Sequence, residues 1–214
     1  MRTLIAVPCM DMMHTQFVHS LLGLRLNDDY EVRFVASSLI YVTRNLLVDF
    51  AIEKGFDRIL WFDSDMVFTP DVVRYLNEDL DNGCDIVCGL AFMRKPPYQP
   101  VIFDSCNLSE LDDGTLQTSA TIYKDYPKDK LFEVAACGFG CVMMNVPAVK
   151  RIAEKFGNKL FTPLAGFGED LTFCMYARSA EVKVWCDSRA KVGHVGEMVF
   201  NEDFYLKDLN NGTS

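Results

Sequence analysis

Asp63 and Asp65 stand one residue apart at the end of the apolar run Ile59-Leu60-Trp61-Phe62. Such a run reads as a strand buried on both faces, as in a parallel sheet covered by helices. Ligands of these sheets bind outside the carboxyl ends of the strands. Alternate residues of a strand point the same way, so unless the chain turns, the two charges converge and each raises the pKa of the other. A divalent cation removes that conflict. Mg²⁺ or Mn²⁺ held by one or two protein carboxylates completes its shell with substrate phosphates, so Asp63-Ser64-Asp65 suits a metal and a diphosphate. The same tripeptide also suits a polar loop or helix cap. A second acidic pair, Glu169-Asp170, follows Gly166-Phe167-Gly168 and opens an apolar-periodic stretch. It fits a proton acceptor, or equally the acidic first turn of a helix. His194 lies among glycines as either a plain loop residue or a ligand, and imidazole suits Mn²⁺ better than Mg²⁺.

The elements that must hold these groups follow a βα rhythm. Thr3 to Val7 reads as a first buried strand, the segment around Phe17, Leu21 and Leu22 as a helix, and Glu31 to Ala36 as a second strand. Thr43 is placed to cap a helix over Arg44 to Lys54, with Leu46, Leu47, Phe50 and Ala51 on one face and Gly55 as its stop. Thr69-Pro70-Asp71 signals another helix start, running to about Asn77, and Asp85 to Phe92 reads as a buried strand. Three βα units in succession predict a doubly wound, mostly parallel sheet with its strand ends facing one crevice. From Met93 the rhythm breaks, and Ser105 to Lys130 reads as a polar, turn-rich insertion. Leu131 to Ala136 and Cys141 to Asn145 return as extended segments, a helix starts near Pro147, and Val182 to Cys186 is a last strand. Val192 to Gly196 is expected as the loop after it. One domain is expected over 1–214.

Composition narrows the function. The 214 residues are half hydrophobic, enough for one large core. A formal net charge of -9 disfavours nucleic acid and anionic lipid surfaces. An anionic ligand then needs local cations or a metal. No run reaches the ~18 apolar residues of a membrane span, and the start lacks a signal peptide's apolar stretch, so a cytoplasmic location is expected. Of the eight cysteines, Cys9, Cys88, Cys141, Cys174 and Cys186 lie in apolar segments, as reduced core thiols do. The Cys84/Cys88 and Cys137/Cys141 spacings differ from those of a zinc ribbon.

The order of these parts resembles the GT-A glycosyltransferases, close to the inverting family-2 branch. The shared parts are a first strand ending in Pro8, a loop and helix with Arg44-Asn45, and Phe62-Asp63-Ser64-Asp65 after an apolar strand. A glycine-flanked strand, Gly168-Glu169-Asp170 opening a helix, and a late His194 complete them. The resemblance implies an α/β/α sandwich with a small antiparallel extension, with a nucleotide-binding half over 1–92 and an acceptor-side half over 93–214. It also implies transfer of a sugar from a nucleotide-diphosphate sugar to a glycan, glycoprotein or small-molecule acceptor. Asp65, Asp63 and His194 would bind Mn²⁺ or Mg²⁺, and Asp170, with Glu169 beside it, would be the catalytic base. Pro8, Ser37, Arg44, Asp63, Ser64 and Gly138 would meet the nucleotide sugar. On its own chemistry, Arg44 suits a diphosphate but is ordinarily solvated near a helix start. Gly138 to Gly140 would let sugar or acceptor approach the backbone, or make a tight turn. The Q-x-x-R-W element of polymer-forming members is missing, which favours a single-transfer enzyme.

Two other enzyme classes compete. Asp63-Ser64-Asp65-Met66-Val67 also fits the signature of haloacid-dehalogenase-like phosphatases, although two strands precede it here and the later G-D-x-x-x-D element is not matched. A nucleotidyltransferase would need a glycine-rich N-terminal phosphate loop, which the chain lacks. A protein that binds a nucleotide sugar without turning it over uses the same metal site and stays open.

Overall fold

Five apolar runs become strands that point the same way in one sheet, with an antiparallel strand between the third and fourth of them. The computed structural model describes residues 1–27 and 29–196. Strands β1 (Arg2–Cys9), β2 (Asp29–Ala36) and β3 (Arg58–Phe62) pair in parallel through helices α1 (Thr15–Leu22) and α2 (Ile40–Glu53). Next come β4 (Met66–Phe68), α3 (Val72–Asp81) and β5 (Ile86–Leu90). An extension of β6 (Ile102–Glu110) and β7 (Leu116–Ile122) precedes β8 (Leu131–Val134), β9 (Ala136–Cys137) and β10 (Cys141–Asn145). Helices α4 (Val146–Phe156) and α5 (Glu169–Ser179) and the long strand β11 (Val184–His194) complete the order. The main sheet runs β2-β1-β3-β10-β5-β11-β4, with β8 added on β11, and β7-β6-β9 form a separate antiparallel sheet. The fold is therefore α/β, with a large, mostly parallel sheet between helices and a small antiparallel one, as the sequence predicts.

Alternation along β3 divides the core into two layers. Ile59 and Trp61 face the side of α2, α4 and α5, whereas Leu60 and Phe62 face the side of α1 and α3. Each such side chain, fully withdrawn from water, contributes about 1.5–3 kcal/mol. Trp61 meets Phe139 and Phe161, and Phe173 stacks on Phe161, so one aromatic group underlies the strand's carboxyl end. The cysteines behave as core thiols: all eight are free and only Cys9 is not buried.

Several boundaries differ from the expectation. Helix α2 starts one turn earlier than Thr43, which is therefore an interior helical residue, and Leu46 points outward at 51% exposure. Helix α3 begins after Thr69-Pro70-Asp71 and continues to Asp81, because Val72, Val73, Leu76 and Leu80 keep burying one face. Strand β10 lies antiparallel between β3 and β5, so the sheet is mixed at its centre. The expected loop from Val192 is instead the end of β11, which continues past a bulge between Asp187 and Lys191 to pair with β4. Gly89 permits this course, since a Cβ there would lie 2.9 Å from the Ala190 carbonyl oxygen, closer than packed atoms come. The expected acceptor-side half continues to 214, and its part from 197 on lies outside the described residues.

Candidate functional site

The chain turns sharply between the two aspartates. Met66 donates its N–H to the Asp63 carbonyl at 3.2 Å, so β3 ends, reverses and gives way to β4. The two carboxylates thereby take different partners, although both line one cavity and the Asp65 charge still helps raise the Asp63 pKa. Asp63 Oδ1 accepts from Arg44 Nη2 at 2.8 Å, and Arg44 Nε donates to Glu169 Oε1 at 3.4 Å. Arg44 is 1% exposed and packed near the rings of Trp61, Phe139 and Phe161. One guanidinium thus joins the end of β3 to the start of α5. Burial raises the pKa of Asp63 above the usual carboxylate range, and the charge of Arg44 only partly opposes it.

Asp65 has partners of its own. Its Oδ2 accepts from Arg94 Nη1 at 2.8 Å and lies 3.1 Å from His194 Nε2. His194 Nδ1 lies 3.1 Å from the Phe92 carbonyl oxygen, which can only accept, so the proton sits on Nδ1. The hydrogen bond to Asp65 raises the His194 pKa, against burial. Burial resists the charge on Asp65, but His194 and Arg94 outweigh it and hold its carboxyl below the usual range.

This donor pair fits a divalent ion. Nε2 needs a proton to donate to Asp65; with Nδ1 committed to a carbonyl, loss of that proton would leave an Nε2 lone pair beside a carboxylate oxygen, the second-shell arrangement of metal-binding histidines. Two ligand atoms each about 2.1 Å from one ion and at right angles stand about 3 Å apart, close to the separation here. Among the described residues, no three His, Cys, Asp or Glu side chains gather to hold a metal. The expected trio is thus divided, with Asp65 and His194 together and Asp63 on Arg44. Two protein ligands suffice for a Mg²⁺-type site whose remaining ligands are water and substrate phosphate.

A cavity of about 380 Å³ opens over this turn, lined among others by Pro8, Ser37, Thr43, Asp63, Ser64, Asp65, Arg94 and His194. Ser37 is fixed at its rim, its N–H on the Cys9 carbonyl and its Oγ accepting the Leu39 N–H. Ser64 is pinned by the His14 N–H on its carbonyl oxygen. Thr43 Oγ1 is buried and has no hydrogen-bond partner among the described residues, which suits a site completed by a polar ligand. Arg44 and Gly138 do not line this cavity. Gly138 lies instead by Asp170, where a Cβ would come within 3.7 Å of Oδ2 and 2.7 Å of Val101 Cγ1.

Asp170 and Glu169 form the acidic first turn of α5, with Gly168 before them. Asp170 Oδ1 accepts the Leu171 N–H at 2.8 Å. Burial first, and the neighbouring Glu169 charge second, push the Asp170 pKa up to about 6. A carboxylate with that pKa can take a proton near neutrality.

Sequence reasoning missed Arg94 and Thr43 as parts of this site. Arg94-Lys95 follows the carboxyl end of β5, where ligands of such sheets bind, and that position was the available signal. Nothing local distinguishes Thr43 from a helix cap.

The sequence matches no family model and no curated protein. Among solved structures, A197 from STIV superposes with a TM-score of 0.64 at 19% identity, over 92% of this chain and 87% of that one. GalNAc-T7, crystallised with UDP, GalNAc and Mn²⁺, superposes with a TM-score of 0.60 at 8% identity, over 92% of this chain and 43% of its own. Among the described residues, no helix is long and apolar enough to cross a membrane. At these identities the likeness is one of architecture, and the architecture that the chain shares with a glycosyltransferase is the GT-A-like fold.

Proposed function

We propose that this chain is a metal-dependent glycosyltransferase that moves a sugar from a nucleotide-diphosphate sugar to an acceptor hydroxyl with inversion. The observation that carries the reading is the Arg44 bridge. It ties cavity-lining Asp63 to Glu169, the neighbour of Asp170, so donor-side and acceptor-side carboxylates are held in one rigid frame. The nucleotide lies along Pro8, Ser37, Thr43 and Ser64, with Asp63 towards its ribose. Asp65 and His194 would hold Mn²⁺, or Mg²⁺, whose chemistry there would be to offset negative charge on the departing diphosphate. Asp170, with its pKa pushed up to about 6, accepts the proton of the acceptor hydroxyl. The presence of UDP, GalNAc and Mn²⁺ in the GalNAc-T7 structure supports the same class of ligands here. A glycan, a glycoprotein or a small molecule would serve as acceptor. A phosphatase would need Asp63 as nucleophile, yet its Oδ1 is held by Arg44 at 2.8 Å, which opposes attack through that oxygen.

Asp65→Ala leaves one imidazole at the metal position. It should abolish the Mn²⁺-dependent part of nucleoside diphosphate binding, measured by calorimetry with and without the metal. Equal Mn²⁺-dependent affinity in wild type and variant would overturn the reading. Phosphate-ester hydrolysis that disappears in Asp63→Asn would replace it with the phosphatase.

A further inference from the structure

Resting on the reading just given, we infer that Arg94 is an exchangeable counter-ion, competing with the metal for Asp65 and then serving as a cation for the diphosphate. Three facts converge on it. Arg94 Nη1 and His194 Nε2 both bond Asp65 Oδ2, at 2.8 and 3.1 Å, so an ion seated on that oxygen and that nitrogen displaces the guanidinium. The Arg94 side chain is half exposed, at 49%, and so has room to swing, unlike buried Arg44. It also lines two cavities: the one over the Asp63-Ser64-Asp65 turn, and a second of about 430 Å³ formed with His14, Lys95, Val195 and Gly196. No carboxylate lines the second cavity among the described residues. In a chain of net charge -9 that is a local pocket for negative charge. The guanidinium fork matches phosphate oxygens in two-point contact, as it matches a carboxylate.

Exchange of this kind couples the ligands. Metal binding alone must break the Arg94–Asp65 pair, whereas with a diphosphate present the released guanidinium finds a new anion. Arg94 thereby disfavours the bare ion and favours the ion together with diphosphate. The two effects have opposite signs, which a merely structural residue would not produce.

The test is calorimetry on the whole chain, first with Mn²⁺ alone and then with UDP, GDP and ADP on Mn²⁺-saturated protein. Arg94→Ala should bind Mn²⁺ alone roughly three- to tenfold more tightly, the range expected when a partly exposed ion pair no longer competes. Its diphosphate affinity should fall roughly tenfold or more, as for a lost charge-assisted bond. Arg94→Lys keeps the charge without the fork and should recover part of the diphosphate affinity, which also guards against a folding defect in the alanine variant. Unchanged affinities, or a fall in both, would overturn the inference and leave the glycosyltransferase reading standing. Wild-type protein that takes neither Mn²⁺ nor any of the three diphosphates would remove both.

Discussion

Replacing Asp170 by Asn separates catalysis from stability, because the same burial that makes this carboxyl basic also makes it costly. Its pKa is pushed up to about 6 from a model-peptide value of 3.8. The difference, roughly 2 units at about 1.36 kcal/mol each, sets an upper bound of about 3 kcal/mol for ionising it in the folded protein. The sign follows from proton counting. A folded-state pKa raised above the unfolded value contributes stability that is complete below about pH 4 and lost as pH rises through about 6. Asp170→Asn keeps the acceptor oxygen for the Leu171 N–H and carries no charge at any pH. Urea unfolding should therefore show the variant more stable than wild type at pH 8, by up to about 3 kcal/mol, and near parity at pH 4.

Turnover should move the other way. Loss of a general base lowers it by roughly 10²–10⁴ while Mn²⁺ and diphosphate affinities stay close to wild type. Release of nucleoside diphosphate from donor in the presence of acceptor follows the rate, and NMR of the product gives the anomeric configuration. In wild type the acid limb of kcat/KM should fall near pH 6, the pKa of the free base. Glu169→Gln should cost less, since Glu169 is engaged by Arg44. Turnover within tenfold of wild type in Asp170→Asn, or a product that retains the donor configuration, would refute the base assignment.

The other expectations concern buried charge. Arg44→Met strands Asp63 and Glu169 without their shared cation and should cost about 3–5 kcal/mol in urea, and a loss below about 1 kcal/mol would show that the bridge holds nothing. Asp79 is 3% exposed and shares Arg189 with Asp187, and burial, then the Asp187 charge, push its pKa up to about 7. Its contribution is complete below about pH 4 and lost as pH rises through about 7, so Asp79→Asn should be more stable than wild type at pH 8.5, by up to about 4 kcal/mol, and not at pH 4. The same stability difference at both pH values would contradict the pairing.

Much of this fold was legible because its strands are short apolar runs between turn residues, a signal that survives without knowledge of partners. Direction was not. Cys141 to Asn145 reads as a buried strand either way, and only the tertiary position between β3 and β5 makes it antiparallel. The extent of β11 was hidden for a related reason. Its sequence passes through Asp187-Ser188-Arg189, which looks like a polar stop, whereas Ser188 and Asp187 are buried and bonded to Lys130 and Arg189. Stopping the strand there left His194 in a loop, although its pairing with Met66 is what brings the imidazole to Asp65.

Arg44 shows where pattern reading meets its limit. One turn into a helix, an arginine reads as a solvated residue or a phosphate ligand, because nothing within ten residues announces Trp61, Phe139, Phe161, Asp63 and Glu169 around it. Burying a guanidinium is tolerable only with carboxylates and ring faces together. That requirement has a consequence for the site. The acids nearest Arg44 are tied down, Asp63 as an acceptor of one arm and Glu169 of another, whereas their neighbours Asp65 and Asp170 lie off it, in the function proposed above as metal ligand and base. Adjacent carboxylates in each pair thus receive unlike environments, which is how two similar acidic pairs can acquire distinct tasks.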